Sequence, residues 1–285
     1  MIPKISVCCF IRDNNEGAFC LWESMASLIT IADEYIVMDF GSTDGTLEIL
    51  NGISKKNQKI KIVRRVIGAD ESGPEIFATM ANELIAMSKN ELVLYHQADE
   101  VFHECLVDRI VSELEILSNR IPDGWKGMNF WRVQLRNNFQ RVGWWSHPVN
   151  RLDLRTRMHH VGDGMNTDRP WDPPFIGDYD GGATWESSYK HDPASLPMHH
   201  MILDVGRKGG FLENIYQKSL LHAPHWGEQP MVEGILADDW VARERKNPEW
   251  TMTASPFNLP AIMRPLVGEL RYKVRPEVLN MIAEG

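Results

Sequence analysis

Two short apolar runs, each closed by carboxylates, constrain this chain more than anything else in it. The first is Tyr35-Ile36-Val37-Met38-Asp39, continuing as Phe40-Gly41-Ser42-Thr43-Asp44-Gly45-Thr46. The second is Leu92-Val93-Leu94-Tyr95-His96, leading to Gln97-Ala98-Asp99-Glu100. A short apolar run bounded by turn formers reads as a buried parallel strand. Open α/β sheets bind their ligands beyond the carboxyl ends of such strands. Two strands therefore bring acidic groups to one rim, the place for a nucleotide and a metal ion.

The surrounding pattern extends the sheet. Apolar β-rich residues predict strands over 5–11, 34–39, 60–66 and 91–96. Helical spacing predicts helices over 16–28, 44–53, 74–88 and 102–117. Thr43 is placed to cap the second of these helices, and Pro74 suits the first turn of the third. Strand and helix alternating in this way give a parallel sheet with helices on both faces. Beyond residue 118 the pattern changes: aromatic alternation suggests antiparallel strands over 127–135, 142–145 and 149–154. Residues 155–200 are rich in Gly, Pro, Asp, His and Trp and lack periodicity, which marks a functional or mobile loop. Helices are expected over 209–221 and 231–245, and a helical tail over 260–283 is expected to break at Pro265 and Pro276.

Four motifs in this order resemble glycosyltransferase family 2, whose members have the GT-A fold. They are the strand leading to Arg12-Asp13-Asn14-Asn15-Glu16, then Asp39-Phe40-Gly41-Ser42-Thr43-Asp44-Gly45-Thr46, then Met80-Ala81-Asn82-Glu83, then Gln97-Ala98-Asp99-Glu100. The last stands where the family commonly has Asp-x-Asp, and Ala81 stands where it commonly has arginine. A looser likeness through Leu221-His222-Ala223-Pro224-His225-Trp226-Gly227 points to a subgroup with a Gln-Ala-Asp-Glu motif. The resemblance implies a GT-A type, Rossmann-like, mostly parallel α/β sheet with helices on both faces, an antiparallel addition and a C-terminal helical extension. It divides the chain into a glycosyltransferase domain over 1–228, with a nucleotide-binding half at 1–118 and an acceptor half at 119–228, and an extension over 229–285.

The same resemblance assigns roles. Asp13, Asn14, Asp39, Asn82, Gln97 and Ala98 would line the donor site. Asp39 would accept hydrogen bonds from the base or ribose, although an Asp before Gly-Ser is also a common turn former. Asp99 would hold a divalent cation, Mn²⁺ or Mg²⁺, since hard cations take oxygen ligands. His222 and His225 are further candidates at the metal or diphosphate, and Glu100 would add a ligand or face the acceptor. Inverting transfer needs a carboxylate base. Asp163 is the first candidate, followed by Asp178, Asp180 and Glu186.

Composition narrows the field. Hydrophobic residues make up 43% of the 285, enough for a sizeable core. The formal net charge of −9 argues against a duplex-binding protein and requires Arg, Lys or a divalent metal beside any diphosphate. Cys8, Cys9, Cys20 and Cys105 form no CxxC pair and read as buried free thiols in a reducing compartment. No apolar run approaches the roughly 20 residues that span a bilayer, and the N-terminus lacks the basic-then-apolar form of a leader. A cytoplasmic location is therefore expected. The leading expectation is a metal-dependent, inverting transfer from a nucleoside-diphosphate sugar, a UDP-sugar first, to a glycan or small-molecule hydroxyl. A series of arginines from Arg132 to Arg157 keeps a hydroxylated DNA base open as acceptor. A non-catalytic sugar-nucleotide binding protein is the alternative of another class.

Overall fold

The computed structural model describes residues 3–17, 19–68, 75–117, 128–136, 141–142, 148–155, 202–204, 252–253, 259–266 and 272–285. At its centre lie four parallel strands: β1 (Ile5–Ile11), β2 (Glu34–Asp39), β3 (Ile60–Arg64) and β4 (Leu92–Tyr95). They stand in the order β3-β2-β1-β4. Every residue of β2 and β4 is buried. Continuous apolar runs are what such strands need when both faces of the sheet are covered.

Successive strand residues point to opposite faces, and the core divides accordingly. On one face Val7, Cys9, Tyr35 and Val37 pack with α2 (Leu21–Leu28) and α5 (Glu104–Leu117). On the other, Cys8, Ile36 and Met38 pack with Met80, Ala81, Leu84 and Ile85 of α4 (Glu75–Met87). Cys8, Cys9 and Cys20 are buried free thiols.

The antiparallel addition follows β4. β4 pairs with β8 (Pro148–Leu154), β8 with β6 (Met128–Arg136), β6 with β7 (Arg141–Val142) and β7 with β10 (Met252–Thr253). A short strand β5 (Glu100–Phe102) pairs antiparallel with β9 (Ile202–Asp204), which runs parallel to β6.

Three local expectations change. The helix expected over 16–28 is two helices, α1 (Asn14–Gly17) and α2, separated by a left-handed Cys20 at φ 61°. Asn14 Oδ1 accepts the Leu21 N–H at 2.9 Å and so serves the start of α2 from outside it. The helix expected from residue 102 begins at Glu104, because residues 100–102 are taken by β5. Thr43 does not cap α3 (Thr46–Ser54); Gly45, at φ 87°, precedes that helix, and Asp44 Oδ1 accepts the Thr46 N–H at 3.0 Å. The helices expected at 209–221 and 231–245, and the loop beyond Arg155, lie outside the described residues.

The tail comprises a 3₁₀ turn, Arg264–Leu266, and a helix α6 (Pro276–Glu284) that opens on proline. It folds back onto the first face: Leu259, Met263, Leu266, Tyr272, Val278 and Ile282 share the core of β1 and α2. Full burial of each aliphatic side chain contributes roughly 1.5–3 kcal/mol. Polar bonds fix its seat. Glu23 of α2, fully buried, accepts from the Tyr272 hydroxyl at 2.9 Å and Arg275 Nη2 at 3.1 Å, and Asn57 Nδ2 donates to the Ile282 carbonyl at 2.8 Å. Among the described residues no helix is long and apolar enough to cross a membrane.

Candidate functional site

The strand order reverses direction at β1, since β2 and β3 lie on one side of it and β4 on the other. Ligands of open α/β sheets occupy the crevice at such a switch point, outside the carboxyl ends of the strands. Register fixes what meets there. Ile11, at the end of β1, pairs with Asp39, whereas the β1–β4 ladder stops where Cys8 pairs with Tyr95, and the chain then turns at 97–100.

Asp39 is fully buried at the end of β2. Its Oδ1 accepts the N–H groups of Gly41 and Ser42, both at 3.2 Å. Gly41, at φ 109°, makes this tight return feasible. Asp39 Oδ2 is buried without a hydrogen-bond partner. Buried polar atoms are nearly always paired, so an orphaned carboxylate oxygen at a rim asks for a ligand donor.

Asp13 and Asn14 are also at this end; the Asp13 carboxylate bonds within the protein, whereas Asn14 uses Oδ1 in this way and leaves Nδ2 buried without a hydrogen-bond partner. Asp13 Oδ1 accepts the Thr43 N–H at 2.7 Å and the Thr43 hydroxyl at 3.3 Å, and its own N–H donates to Ser42 Oγ at 2.9 Å. Asp44 Oδ2 accepts the Glu16 N–H at 2.9 Å. The loop after β1 and the loop after β2 are thus laced together and hold Asp39 between them. Asn82 is half-buried on α4, and its neighbour Glu83 pairs with Arg65 at 2.9 Å just past β3.

On the other flank, Gln97 and Asp99 are half-buried in the turn after β4, Ala98 is buried, and Glu100 is fully buried on β5. Glu100 turns inward: its Oε2 accepts the Gln97 N–H at 3.0 Å, closing the turn. Asp99 is the half-buried carboxylate of this turn. Among the described residues no three His, Cys, Asp or Glu side chains form a ligand cluster. A divalent ion held by one carboxylate and phosphate oxygens needs no such cluster, so the donor set fits an ion that arrives with a phosphorylated ligand. Asp163, Asp178, Asp180, Glu186, His222 and His225 lie outside the described residues.

One group was not singled out from the sequence. His96, fully buried below the turn, has its Nδ1 2.8 Å from the Gln97 carbonyl and 3.1 Å from Ser24 Oγ, and its Nε2 2.5 Å from the Tyr35 hydroxyl. A carbonyl only accepts, so Nδ1 carries the proton and Tyr35 donates to Nε2. Burial pushes the Tyr35 hydroxyl well above its ordinary pKa, with Cys9 adding to the rise, which keeps it a donor. The signal in the sequence is a histidine closing an apolar strand directly before a carboxylate turn.

Fold and site define an α/β protein with a buried, half-partnered carboxylate beside the switch point of its parallel sheet. The chain belongs to glycosyl transferase family 2, whose model matches residues 14–169 and so takes in both Asp39 and Asp99. No curated protein matches the chain. Among solved structures it is similar to S. aureus TarS 1-349 in complex with UDP-GlcNAc, at 18% identity over 47% of this chain and 34% of that one, with a TM-score of 0.31. It is also similar to the mannosyltransferase PcManGT from Pyrobaculum calidifontis in complex with GDP-Man and Mn²⁺, at 15% identity over 48% and 37%, with a TM-score of 0.32. A mycobacterial protein matches at 20% identity over 47% and 41%, with a TM-score of 0.29. This chain spans little more than a third of the length of the first two, TarS 1-349 and PcManGT.

Proposed function

We propose that this chain transfers a glycosyl group from a nucleoside-diphosphate sugar, a UDP-sugar first, to an acceptor hydroxyl, with inversion and with the help of Mn²⁺ or Mg²⁺. The observation that carries this reading is the unpartnered Asp39 Oδ2, buried at the switch point of a family 2 sheet. There it would accept from the ribose or base, with Asn82, Gln97 and Ala98 completing the donor pocket and Asp13 and Asn14 holding the loop beneath it. Charge supports a cation. Arg12 faces Asp13 at 3.2 Å and Arg65 faces Glu83 at 2.9 Å, so these two rim arginines already stand against carboxylates. An added diphosphate would then draw positive charge from Arg64, exposed at the end of β3 in register with Asp39, and from a divalent ion.

A bound divalent ion would supply positive charge beside the departing diphosphate. Asp99 would hold that ion, with His222 or His225 as further candidates. The acceptor oxygen forms its bond to the anomeric carbon as the bond to the diphosphate oxygen breaks. The acceptor proton passes to a carboxylate base, for which Asp163 is proposed first and Asp178, Asp180 and Glu186 next. The acceptor is a glycan or small molecule, and the proposed setting is the cytoplasm.

The test is release of UDP or GDP from a panel of sugar nucleotides with Mn²⁺, in wild type and Asp99→Asn. Release from at least one donor is expected, falling to background with chelator and in the folded variant. Full turnover in excess chelator would overturn the metal assignment. A chain that neither consumes nor binds any sugar nucleotide would overturn the reading as a whole.

A further inference from the structure

Beneath the turn at 97–100 lies a set of polar groups whose chemistry the transfer reaction does not itself require. The first core is otherwise largely apolar on this face, yet Ser24, Tyr35, His96 and Glu100 are all fully buried in it. Their bonds converge on the turn. Glu100 N–H donates to the Gln97 carbonyl at 3.0 Å, and Gln97 N–H donates to Glu100 Oε2 at 3.0 Å. His96 Nδ1–H donates to the same Gln97 carbonyl, and Ser24 Oγ donates to the Glu100 carbonyl at 2.5 Å. One turn of α2 further on, Ser27 Oγ accepts the Phe102 N–H at 3.2 Å, which ties β5 to the same helix.

We infer that His96 and Ser24 are positioning residues, fixing the 97–100 turn from below in the geometry that presents Asp99 to the diphosphate and its cation. The inference rests on the proposed function. An apolar residue at 96 would fill the same space while removing one of the two donors to the Gln97 carbonyl and the Nε2 acceptor of the Tyr35 hydroxyl, and such a loss is felt by every bond in a shared network. Tyr35 acts one step deeper: its hydroxyl donates to Nε2 and orients the imidazole, whose tautomer the Gln97 carbonyl sets. Asp99 itself stands between two fixed points, since Gln97 and Glu100 are each bonded through both ends of the turn. Residues at this remove commonly change metal affinity by about 10–100-fold.

The experiment measures free Mn²⁺ by electron paramagnetic resonance while the protein is titrated in the presence of UDP and, separately, GDP. Wild type, Asp99→Asn, Ser24→Ala, His96→Phe and His96→Asn are compared, with melting temperatures alongside. Asn at 96 retains a donor near the position of Nδ1, whereas Phe retains only the ring. The expected result is Mn²⁺ affinity about 10–100-fold weaker in His96→Phe and Ser24→Ala, regained in His96→Asn, with Asp99→Asn weakest. Should His96→Phe not fold, Ser24→Ala decides alone. Loss in Asp99→Asn with wild-type affinity in a folded Ser24→Ala or His96→Phe would overturn the positioning roles and leave the metal reading intact. Unchanged affinity in Asp99→Asn, or no nucleotide-dependent Mn²⁺ uptake by wild type, would overturn the metal reading and this inference with it.

Discussion

Asp39 shows how one side chain divides its labour. Its Oδ1 is committed to the Gly41 and Ser42 N–H groups, and its Oδ2 is buried and unpartnered. Asp39→Asn separates the two jobs. The amide oxygen is held towards the two N–H donors, because the flipped amide would set donor against donor. The Oδ2 position then becomes a donor where a ligand hydroxyl or N–H needs an acceptor. Nucleoside diphosphate affinity is expected to fall by about 1–3 kcal/mol with the melting temperature nearly fixed. Calorimetry showing wild-type affinity in the folded variant would remove Asp39 from the site. Sequence alone offered ligand contact or turn formation as alternatives for this residue, and the structure gives the turn to one oxygen and leaves the other. Asp13 was less legible. That its carboxylate reaches Thr43 follows from the β1–β2 register, which no local pattern encodes.

Among the elements, α2 links the most distant parts of the chain. Ser24 and Ser27 hold β5, and Glu23 holds the tail through Tyr272 and Arg275. The Asn14 side chain serves the start of α2. Burial raises the Glu23 pKa, while Arg275 and Tyr272 pull against that rise. The folded protein therefore keeps the Glu23 proton to higher pH than the unfolded chain. The contribution of this group is fully present below the ordinary carboxyl pKa and is lost as pH rises through the raised folded value. Arg275→Ala removes a cation that offsets that loss. Unfolding by denaturant should show the variant destabilised by about 3–5 kcal/mol at neutral pH and by less in acid. An equal deficit at both pH values would contradict the buried ion pair. The four parallel strands were legible because short apolar runs end at turn formers. β5 was not, since it is three residues whose strand character comes from pairing with β9 far along the chain. The break at Cys20 was hidden for a different reason: the apolar spacing of 16–28 is helical throughout, and only a left-handed residue and the reach of Asn14 interrupt it.

At the scale of the molecule, one sheet reverses its strand order at β1, and the tail returns to pack on one of its faces. The tail was legible as helix and not as core, because its apolar residues reveal their partners only when they meet α2 and β1. The proposed occupant, a nucleoside diphosphate with a divalent ion, would meet an acidic chain, an orphaned Asp39 oxygen and a hydrogen-bonded Asp99 turn. The most direct measurement is a crystal structure of the protein with UDP and Mn²⁺. The account predicts the nucleoside outside the carboxyl ends of β1, β2 and β4, with a ribose or base donor about 2.7–3.2 Å from Asp39 Oδ2 and the metal directly on an Asp99 oxygen. A nucleotide bound elsewhere, or one bound there with Asp39 Oδ2 still unpartnered and Asp99 off the metal, would contradict it.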